Sequence, residues 1–241
     1  MKRISLLLTV ISVCSAVQYA TAGDITGKVT LQGAPPAEKQ IGFDETCTKC
    51  NPQVTTTRHY IVGKDNGLAN VFVYISKGLE GKHFDPPTEP AVINQVGCNY
   101  DPYIQGVMVG QKVLIKNSDP MMHNIHALPT VDGNQEFNFA EISQGDSNDS
   151  KWVSSITKPE VLVKVKCDVH NWMFCYVGVL DHPFFAVTDK DGNFKIANVP
   201  DGSYTLTAYH LKTHQKTPGV TQEIKVEGAT PVTANFTVIL K

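Results

Sequence analysis

The chain has 241 residues, with 21 Lys and Arg against 23 Asp and Glu, which gives a formal net charge of −2. Hydrophobic residues make up 41% and charged residues 18%, so the chain lacks the low hydrophobicity and high net charge of a disordered polymer. No basic excess exists, which argues against a nucleic-acid binder. The 14 Pro and 18 Gly favour a loop-rich, all-β protein over a helix bundle.

The N-terminus has the layout of a secretory signal peptide. Lys2 and Arg3 precede an apolar run over residues 4–13, and Ala20-Thr21-Ala22 fits an A-x-A cleavage site. We expect residues 1–22 to be removed, which predicts a periplasmic or secreted protein. An uncleaved anchor is the alternative, but the run is short for a membrane span. No later segment is long and apolar enough to span a membrane, so we expect no transmembrane segment after cleavage.

Strand patterns then follow along nearly the whole chain. Residues 25–31 alternate apolar and polar side chains and stop at Gly33 and Pro35, which is typical of a half-buried strand before a turn. Residues 71–75 are β-branched or aromatic, which indicates a central strand. Further strands are predicted over residues 107–109, 113–115, 161–165, 176–180, 193–196, 203–209, 223–226 and 234–239. The regular spacing predicts an all-β protein of sandwiches or open barrels.

Two segments between these strands carry metal-binding chemistry. His123 and His126 follow one strand, and Cys167-x-x-His170-x-x-Met173 lies between two others. A thiolate, two imidazoles and a weak thioether are the ligands of a blue-copper electron-transfer site. Spacing alone leaves His123 and His126 equal as the second imidazole.

Each of these residues also has an ordinary structural explanation. Cys167 has a possible disulfide partner in Cys175, Met173 suits a hydrophobic core, and a lone histidine is usually a surface or satisfied core residue. The spacing Cys-x-x-His-x-x-Met nevertheless forms one compact set, and a histidine follows a strand where a fourth ligand is needed. We therefore predict one mononuclear copper ion.

The sequence contains no common catalytic motif. It has no G-x-S-x-G elbow, P-loop or H-E-x-x-H. We therefore expect an electron carrier rather than an enzyme, with a redox protein as its partner. Copper delivery without electron transfer, and a structural β module without metal, are the alternatives.

The two metal-binding segments resemble the cupredoxins, the blue-copper family that includes amicyanin and plastocyanin. The first resembles the first-ligand strand and loop of that family, in Val113-Leu114-Ile115-Lys116-Asn117 and Met122-His123-Asn124-Ile125-His126. The second matches the short ligand loop of amicyanin. The resemblance covers roughly residues 93–180 and implies a cupredoxin Greek-key β-sandwich or barrel. It implies copper ligands at His123, Cys167, His170 and Met173.

The resemblance also implies finer details of the site. It favours His123 over His126 as the copper ligand, because the first histidine of His-Asn-x-His binds the metal in the amicyanin pattern. It implies that the backbone N–H of Asn124 donates to the Cys167 sulfur. Asn171 departs from the family, which has Pro after the second histidine.

A second resemblance surrounds the first. Gly27-Lys28-Val29-Thr30 and residues 188–194 and 199–206 resemble a carboxypeptidase regulatory-like β-sandwich, a non-catalytic, transthyretin-like module. Such a module needs its early strand and its late hairpin in one unit. We therefore expect the N-terminal segment 23–92 to join residues 183–241 in a smaller, discontinuous sandwich, with a copper domain at 93–182 inserted.

Cleavage of the signal peptide leaves five of the six cysteines, and an odd number cannot all pair. Cys47-x-x-Cys50 has no second C-x-x-C for a zinc site, so export favours disulfides. We expect Cys167 to be unpaired because it has a ligand role. The other four allow three pairings, of which we favour Cys47–Cys98 with Cys50–Cys175. The resemblance suggests the first of these pairs.

Overall fold

A computed structural model describes residues 22–145, 147–148, 150–213 and 219–240. The strands are β1 (Ala22–Gln32), β2 (Val71–Lys77), β3 (Ala91–Gln95), β4 (Tyr100–Asp101), β5 (Ile104–Met108), β6 (Val113–Asn117), β7 (His123–Leu128), β8 (Phe137–Glu141), β9 (Ser147–Asn148), β10 (Glu160–Lys166), β11 (Phe174–Leu180), β12 (Phe185–Val187), β13 (Asn193–Pro200), β14 (Gly202–His210), β15 (Val220–Val226), β16 (Val232–Thr233) and β17 (Phe236–Ile239). The helices are α1 (Glu45–Cys50) and α2 (Ser150–Ser155), with a 3₁₀ turn at Lys64–Asn66. The described residues include no helix long and apolar enough to cross a membrane. The expected signal peptide lies outside the described residues, except for Ala22.

An outer sandwich is built from both ends of the chain. One of its sheets has the order β13-β1-β16, with β17 also paired to β1, and the other has the order β12-β2-β14-β15. The alternation predicted for residues 25–31 is present in β1, where Ile25, Val29 and Leu31 point into the core between these sheets. Phe194 and Phe236 pack in the same core.

An inner sandwich is built from the strands between β2 and β12. Its five-stranded sheet has the order β5-β11-β10-β7-β8, and its four-stranded sheet has the order β4-β3-β6-β9. The two sheets enclose a second core that includes Ile93, Ile115, Ile125 and Val165. The fold is therefore all-β with two β-sandwiches, which confirms the predicted fold class.

Strand β2 is buried on both faces, which explains its nearly continuous apolar sequence. Val71, Val73 and Ile75 point into the outer core, whereas Phe72 on the opposite face packs against the inner sandwich. A strand between two packed layers has no face on which polar side chains reach water. β2 therefore connects the cores of the two sandwiches.

A pair of glycines makes room for this contact. Gly106 of β5 and Gly178 of β11 are directly paired in adjacent strands. A Cβ atom at Gly178 would lie 2.4 Å from Cζ of Phe72, and one at Gly106 would lie 2.4 Å from the Phe185 ring. Any larger residue at either position therefore requires these aromatic rings to shift.

The segment between β1 and β2 crosses from one sandwich to the other. It holds α1, whose first turn is capped by the Asp44 side chain, which accepts a hydrogen bond from the Cys47 N–H at 2.7 Å. Cys47 is buried in the core of the inner sandwich. α1 has only six residues, which is too short for a helical period to be visible in the sequence.

The disulfide pairing is partly as predicted. The Cys47–Cys98 disulfide is present, and Cys167 is unpaired as expected. The expected Cys50–Cys175 pairing is wrong, because both of these cysteines are free. Cys175 points from β11 into the core of the inner sandwich, whereas Cys50 is partly exposed at the end of α1. Burial makes Cys175 a small core side chain.

Candidate metal centre

Three of the four expected ligands converge in the inner sandwich. The Nδ1 atoms of His123 and His170 are 3.0 Å apart, and the Cys167 sulfur is 3.7 Å from Nδ1 of His170. One donor atom from each of the three residues lies within 4.8 Å of the others. All three side chains are buried.

The strand pairing brings these residues together. β7 and β10 run antiparallel, with His126 opposite Lys166, so the start of β7 lies beside the end of β10. His123 is the first residue of β7, and Cys167 directly follows β10. Residues 167–173 form the ligand loop, which is closed by hydrogen bonds from the Cys167 N–H to the Met173 carbonyl at 3.0 Å and from the Met173 N–H to the His170 carbonyl at 2.9 Å.

Asn124 attaches the ligand loop to β7. Its side-chain Oδ1 accepts hydrogen bonds from the N–H groups of Asp168 at 2.5 Å and Val169 at 3.4 Å. Its own backbone N–H donates to the Cys167 sulfur, as the resemblance implied. One residue therefore holds both the loop and the sulfur in position.

Hydrogen bonds to the Cys167 sulfur favour the thiolate form. Burial opposes ionisation, but hydrogen bonds from His123 and from the backbone N–H groups of Asn124, His170 and Val169 lower the pKa of Cys167 below its ordinary value. The thiolate is the form of cysteine that binds metals. The hydrogen bonds around Cys167 therefore favour the form of this residue that can bind a metal.

The two imidazoles are held in different environments. Burial, together with the positive charge of His123, lowers the pKa of His170, which favours the neutral imidazole that binds metals. Burial opposes protonation of His123 as well, but its hydrogen bonds with Asp119 and Cys167 raise its pKa to about 9. The ring of His123 is thus placed between the carboxylate of Asp119 and the sulfur of Cys167.

Two carboxylates near the site were missed by the sequence analysis. Oδ2 of Asp119 is 2.9 Å from Nε2 of His123, and the same carboxylate accepts hydrogen bonds from the N–H groups of Gly97 and Cys98. Oδ2 of Asp44 is 3.7 Å from Nε2 of His170. A carboxylate on the outer nitrogen commonly orients a metal-binding histidine. The proximity of Asp119 to His123, four residues apart in the sequence, could have suggested the first contact. Asp44 is far from His170 in the sequence, so no local signal suggests the second contact.

Met173 lies in the core of the inner sandwich, whereas the His126 ring points away from Cys167 towards two carboxylates. Met173 is fully buried at the end of the ligand loop, in the core of the inner sandwich. The His126 ring instead lies between two carboxylates, with Nδ1 2.9 Å from Asp168 and Nε2 2.6 Å from Glu136. His123, and not His126, is therefore the histidine that the structure brings to Cys167.

Sulfur atoms line a further side of the site. The Cys47–Cys98 disulfide lies against it, since both sulfurs are within 4.8 Å of a His170 ring nitrogen. The Met121 sulfur is 3.6 Å from the Cys98 sulfur and 3.9 Å from the Cys47 sulfur. Only 5% of His170 is exposed, and its neighbours are the disulfide, Asp44 and the ring of Trp172 at 5.3 Å.

The chemistry of the donor set fits copper. Soft thiolate favours Cu(I), and imidazole binds copper in both of its oxidation states. His123 and His170 present Nδ1 to the space beside the Cys167 sulfur and leave Nε2 to the carboxylates. The three donor atoms thus lie close together, and the outer nitrogen of each imidazole is beside a carboxylate.

Comparison with solved structures finds cupredoxins. The chain aligns with a Cu-containing nitrite reductase (NirK) from Thermus scotoductus SA-01 at a TM-score of 0.34 and 18% identity, over 44% of this chain and 26% of the reductase. It also aligns with a purple cupredoxin from Nitrosopumilus maritimus, at a TM-score of 0.30 and 27% identity. This alignment covers 37% of this chain and 98% of the purple cupredoxin. An amicyanin variant with Cu(I) aligns at a TM-score of 0.30 and 18% identity, over 44% of this chain and 97% of amicyanin. The chain thus spans about a quarter of the reductase, and these similarities cover less than half of this chain.

Comparison at the level of sequence adds no relative. No protein-family model matches the chain, and no curated protein is similar to it.

Proposed function

We propose that this protein is a mononuclear copper protein that carries electrons, with His123, Cys167, His170 and Met173 as the ligands. The convergence of two imidazole Nδ1 atoms and a cysteine sulfur within 4.8 Å, buried in a β-sandwich, is the observation that carries this proposal. Copper bound by such ligands supplies reversible one-electron chemistry.

The protein's own residues would keep the ligands in one arrangement. Asn124 holds the ligand loop against β7, and Asp119 holds the outer nitrogen of His123. Because these contacts do not depend on the metal, the ligands change position little when the charge of the site changes. A small rearrangement is what an electron carrier requires.

We further propose an exported carrier rather than an enzyme, with a redox protein as its partner. The Cys47–Cys98 disulfide supports a periplasmic or secreted location, because structural disulfides persist in oxidising compartments. The outer sandwich would be the carboxypeptidase regulatory-like module, with a non-catalytic role beside the copper domain at residues 93–182.

Copper delivery without electron transfer is the second candidate function. It is favoured by the cover over His170, whose side chain is only 6% exposed beside Asp44. A ligand edge that does not reach the surface lengthens the path of an electron to a docked partner. The same cover would protect a metal ion that is held for transfer.

A visible spectrum of the copper-loaded protein separates the two candidates. We expect an intense sulfur-to-copper charge-transfer band in the oxidised protein, which Cys167→Ser abolishes. Cys50→Ser, which changes a free cysteine outside the donor set, is the control and should keep the band. Tight but colourless Cu(I) binding would favour delivery, and a protein that binds no copper would disprove both candidates.

A further inference from the structure

Cys47, Cys98 and Met121 form a cluster of three sulfur atoms, called here the sulfur triad. The Met121 sulfur contacts both sulfurs of the disulfide, at 3.6 Å and 3.9 Å. Both cysteines are fully buried, and Met121 packs against the same core. Neither the disulfide nor Met121 belongs to the four proposed ligands, so the triad is a feature that the proposed function does not use.

The spacing of the triad suits a metal ion once the disulfide is reduced. Metal–thiolate bonds are about 2.3 Å long in zinc sites, and three sulfurs around a metal at that distance in a trigonal plane are about 4 Å apart. The two distances from Met121 are already close to this value. Reduction replaces the covalent S–S bond by a non-bonded contact, which brings the third distance towards the same value.

The backbone would hold both cysteines in place after reduction. The N–H of Cys98 donates to Asp119 at 2.8 Å, and its carbonyl accepts a hydrogen bond from Nε1 of Trp172 at 3.2 Å. The N–H of Cys47 donates to the capping side chain of Asp44 at 2.7 Å. None of these hydrogen bonds depends on the disulfide, so loss of the S–S bond leaves the two thiols facing Met121.

We propose that reduction of the Cys47–Cys98 disulfide creates a second metal site, in which Cys47, Cys98 and Met121 bind one Cu(I) ion. A dithiol reductant supplies two electrons and two protons, which convert the disulfide into two thiols while the reductant becomes a disulfide. Binding of Cu(I) then releases the two thiol protons. Two thiolates and a thioether are soft ligands, which select Cu(I) over harder ions.

The position of the triad gives this second site a use. A His170 ring nitrogen lies within 4.8 Å of both cysteine sulfurs and also within 4.8 Å of the Cys167 sulfur. A Cu(I) ion on the triad would therefore be next to the proposed copper centre, separated from it by one shared histidine. The triad would serve as a holding site that passes Cu(I) to the proposed copper centre. The choice of copper as its metal rests on the proposed function.

The test uses the chain with Cys50→Ser and Cys167→Ser, which removes the partly exposed thiol of Cys50 and the cysteine ligand of the proposed copper centre. The affinity for Cu(I) is measured anaerobically by competition with bicinchoninate. One sample keeps the disulfide intact, and the other is first reduced with dithiothreitol, which is removed before the measurement. We expect one tightly bound Cu(I) only in the reduced chain, with three sulfur neighbours in X-ray absorption. If the reduced chain competes no better than the disulfide-bonded chain, the proposal is wrong.

A methionine pair provides the matched control. Met121→Leu in the same background should weaken Cu(I) binding at least tenfold, because one of three ligands is lost. Met122→Leu changes an exposed neighbour and should leave the affinity unchanged. Equal affinities for the two variants would exclude Met121 as a ligand and overturn the triad. The colour test of the proposed function uses the disulfide-bonded protein, so the two proposals fail separately.

Discussion

Met173 is the proposed axial ligand, and the identity of an axial ligand tunes the reduction potential of a copper site. We expect Met173→Leu to retain copper and most of the visible colour, because the two histidines and Cys167 remain. The reduction potential should rise, since a weak donor to Cu(II) is lost and the site becomes drier. Spectroelectrochemical titration of the two proteins measures this shift. A lower potential, or loss of the copper, would contradict the assignment of Met173.

The two histidines of β7 make a second residue-level prediction. Because His123 lies beside Cys167 and His126 lies between Asp168 and Glu136, the two alanine variants should differ sharply. His123→Ala should destroy or remodel the charge-transfer band of the copper-loaded protein, whereas His126→Ala should leave it largely intact. Visible and electron paramagnetic resonance spectra of both variants check this. The reverse result would show that the sequence resemblance selected the wrong histidine.

Residue patterns reveal some parts of such a site better than others. The Cys-x-x-His-x-x-Met spacing is local, so the sequence displays the ligand loop directly. The pairing of β7 with β10, which brings His123 to Cys167, is a long-range contact that the resemblance supplied and spacing did not. Asp44 reaches His170 only through the path of the segment after β1, and no local pattern records that approach.

At the scale of elements, the segment between β1 and β2 is organised by one carboxylate. Glu38 accepts hydrogen bonds from the Thr57 hydroxyl and from the N–H groups of His59 at 3.0 Å and Tyr60 at 2.5 Å. Burial raises the pKa of Glu38, but these three hydrogen bonds outweigh it and lower the pKa below its ordinary value. The ionised carboxylate therefore stabilises the folded chain.

The pH dependence of stability tests this role. Since the folded pKa is below the unfolded one, the contribution of Glu38 is fully present above its ordinary pKa and is lost as the pH falls through the folded pKa. Glu38→Gln should thus be less stable than the wild type at neutral pH, by about 1–3 kcal/mol, and the difference should shrink in acid. Urea unfolding across this range measures it. Glu89→Gln, at an exposed position, should show no comparable difference at any pH.

The strands were easier to predict than the cysteines. The alternation in residues 25–31 and the apolar run in residues 71–75 reflect burial, so β1 and β2 lie where the sequence indicates. The wrong Cys50–Cys175 pair arose because connectivity is not encoded in spacing. In the structure, Cys175 is buried on the same face of β11 as Val177, whereas Cys50 is partly exposed at the end of α1.

At the scale of the whole molecule, the two sandwiches depend on the glycine pair of β5 and β11. Gly178→Ala would place a methyl group 2.4 Å from the Phe72 ring, which must then move. We expect a loss of about 1–3 kcal/mol in the free energy of unfolding, as in other overpacked cores. Thermal and urea unfolding measure it. Gly42→Ala is the control, because a Cβ atom there meets nothing within 4 Å, and it should be close to neutral.

The proposed copper centre should be insensitive to that change. Gly178 and Phe72 lie where the two sandwiches meet, whereas the proposed ligands are buried in the inner sandwich. The visible spectrum of copper-loaded Gly178→Ala should therefore match that of the wild type under conditions where the variant is folded. A changed spectrum would mean that the outer sandwich helps to shape the metal site.

The pairing of β1 with strands near the other end of the chain dictates an order of folding. A hydrogen bond joins Lys28 to Asn235, which is 207 positions away, so the outer sandwich cannot close until the last strands have left the ribosome or the export channel. Every strand of the inner sandwich lies between Ala91 and Leu180, and its pairings can form while β1 still waits for its partners. Long-range closure is slow, and unpaired strand edges invite aggregation. β1 and β2 therefore lack their partner strands for most of the chain's synthesis, and the inner sandwich can be complete, once Leu180 has emerged, before the outer sandwich closes.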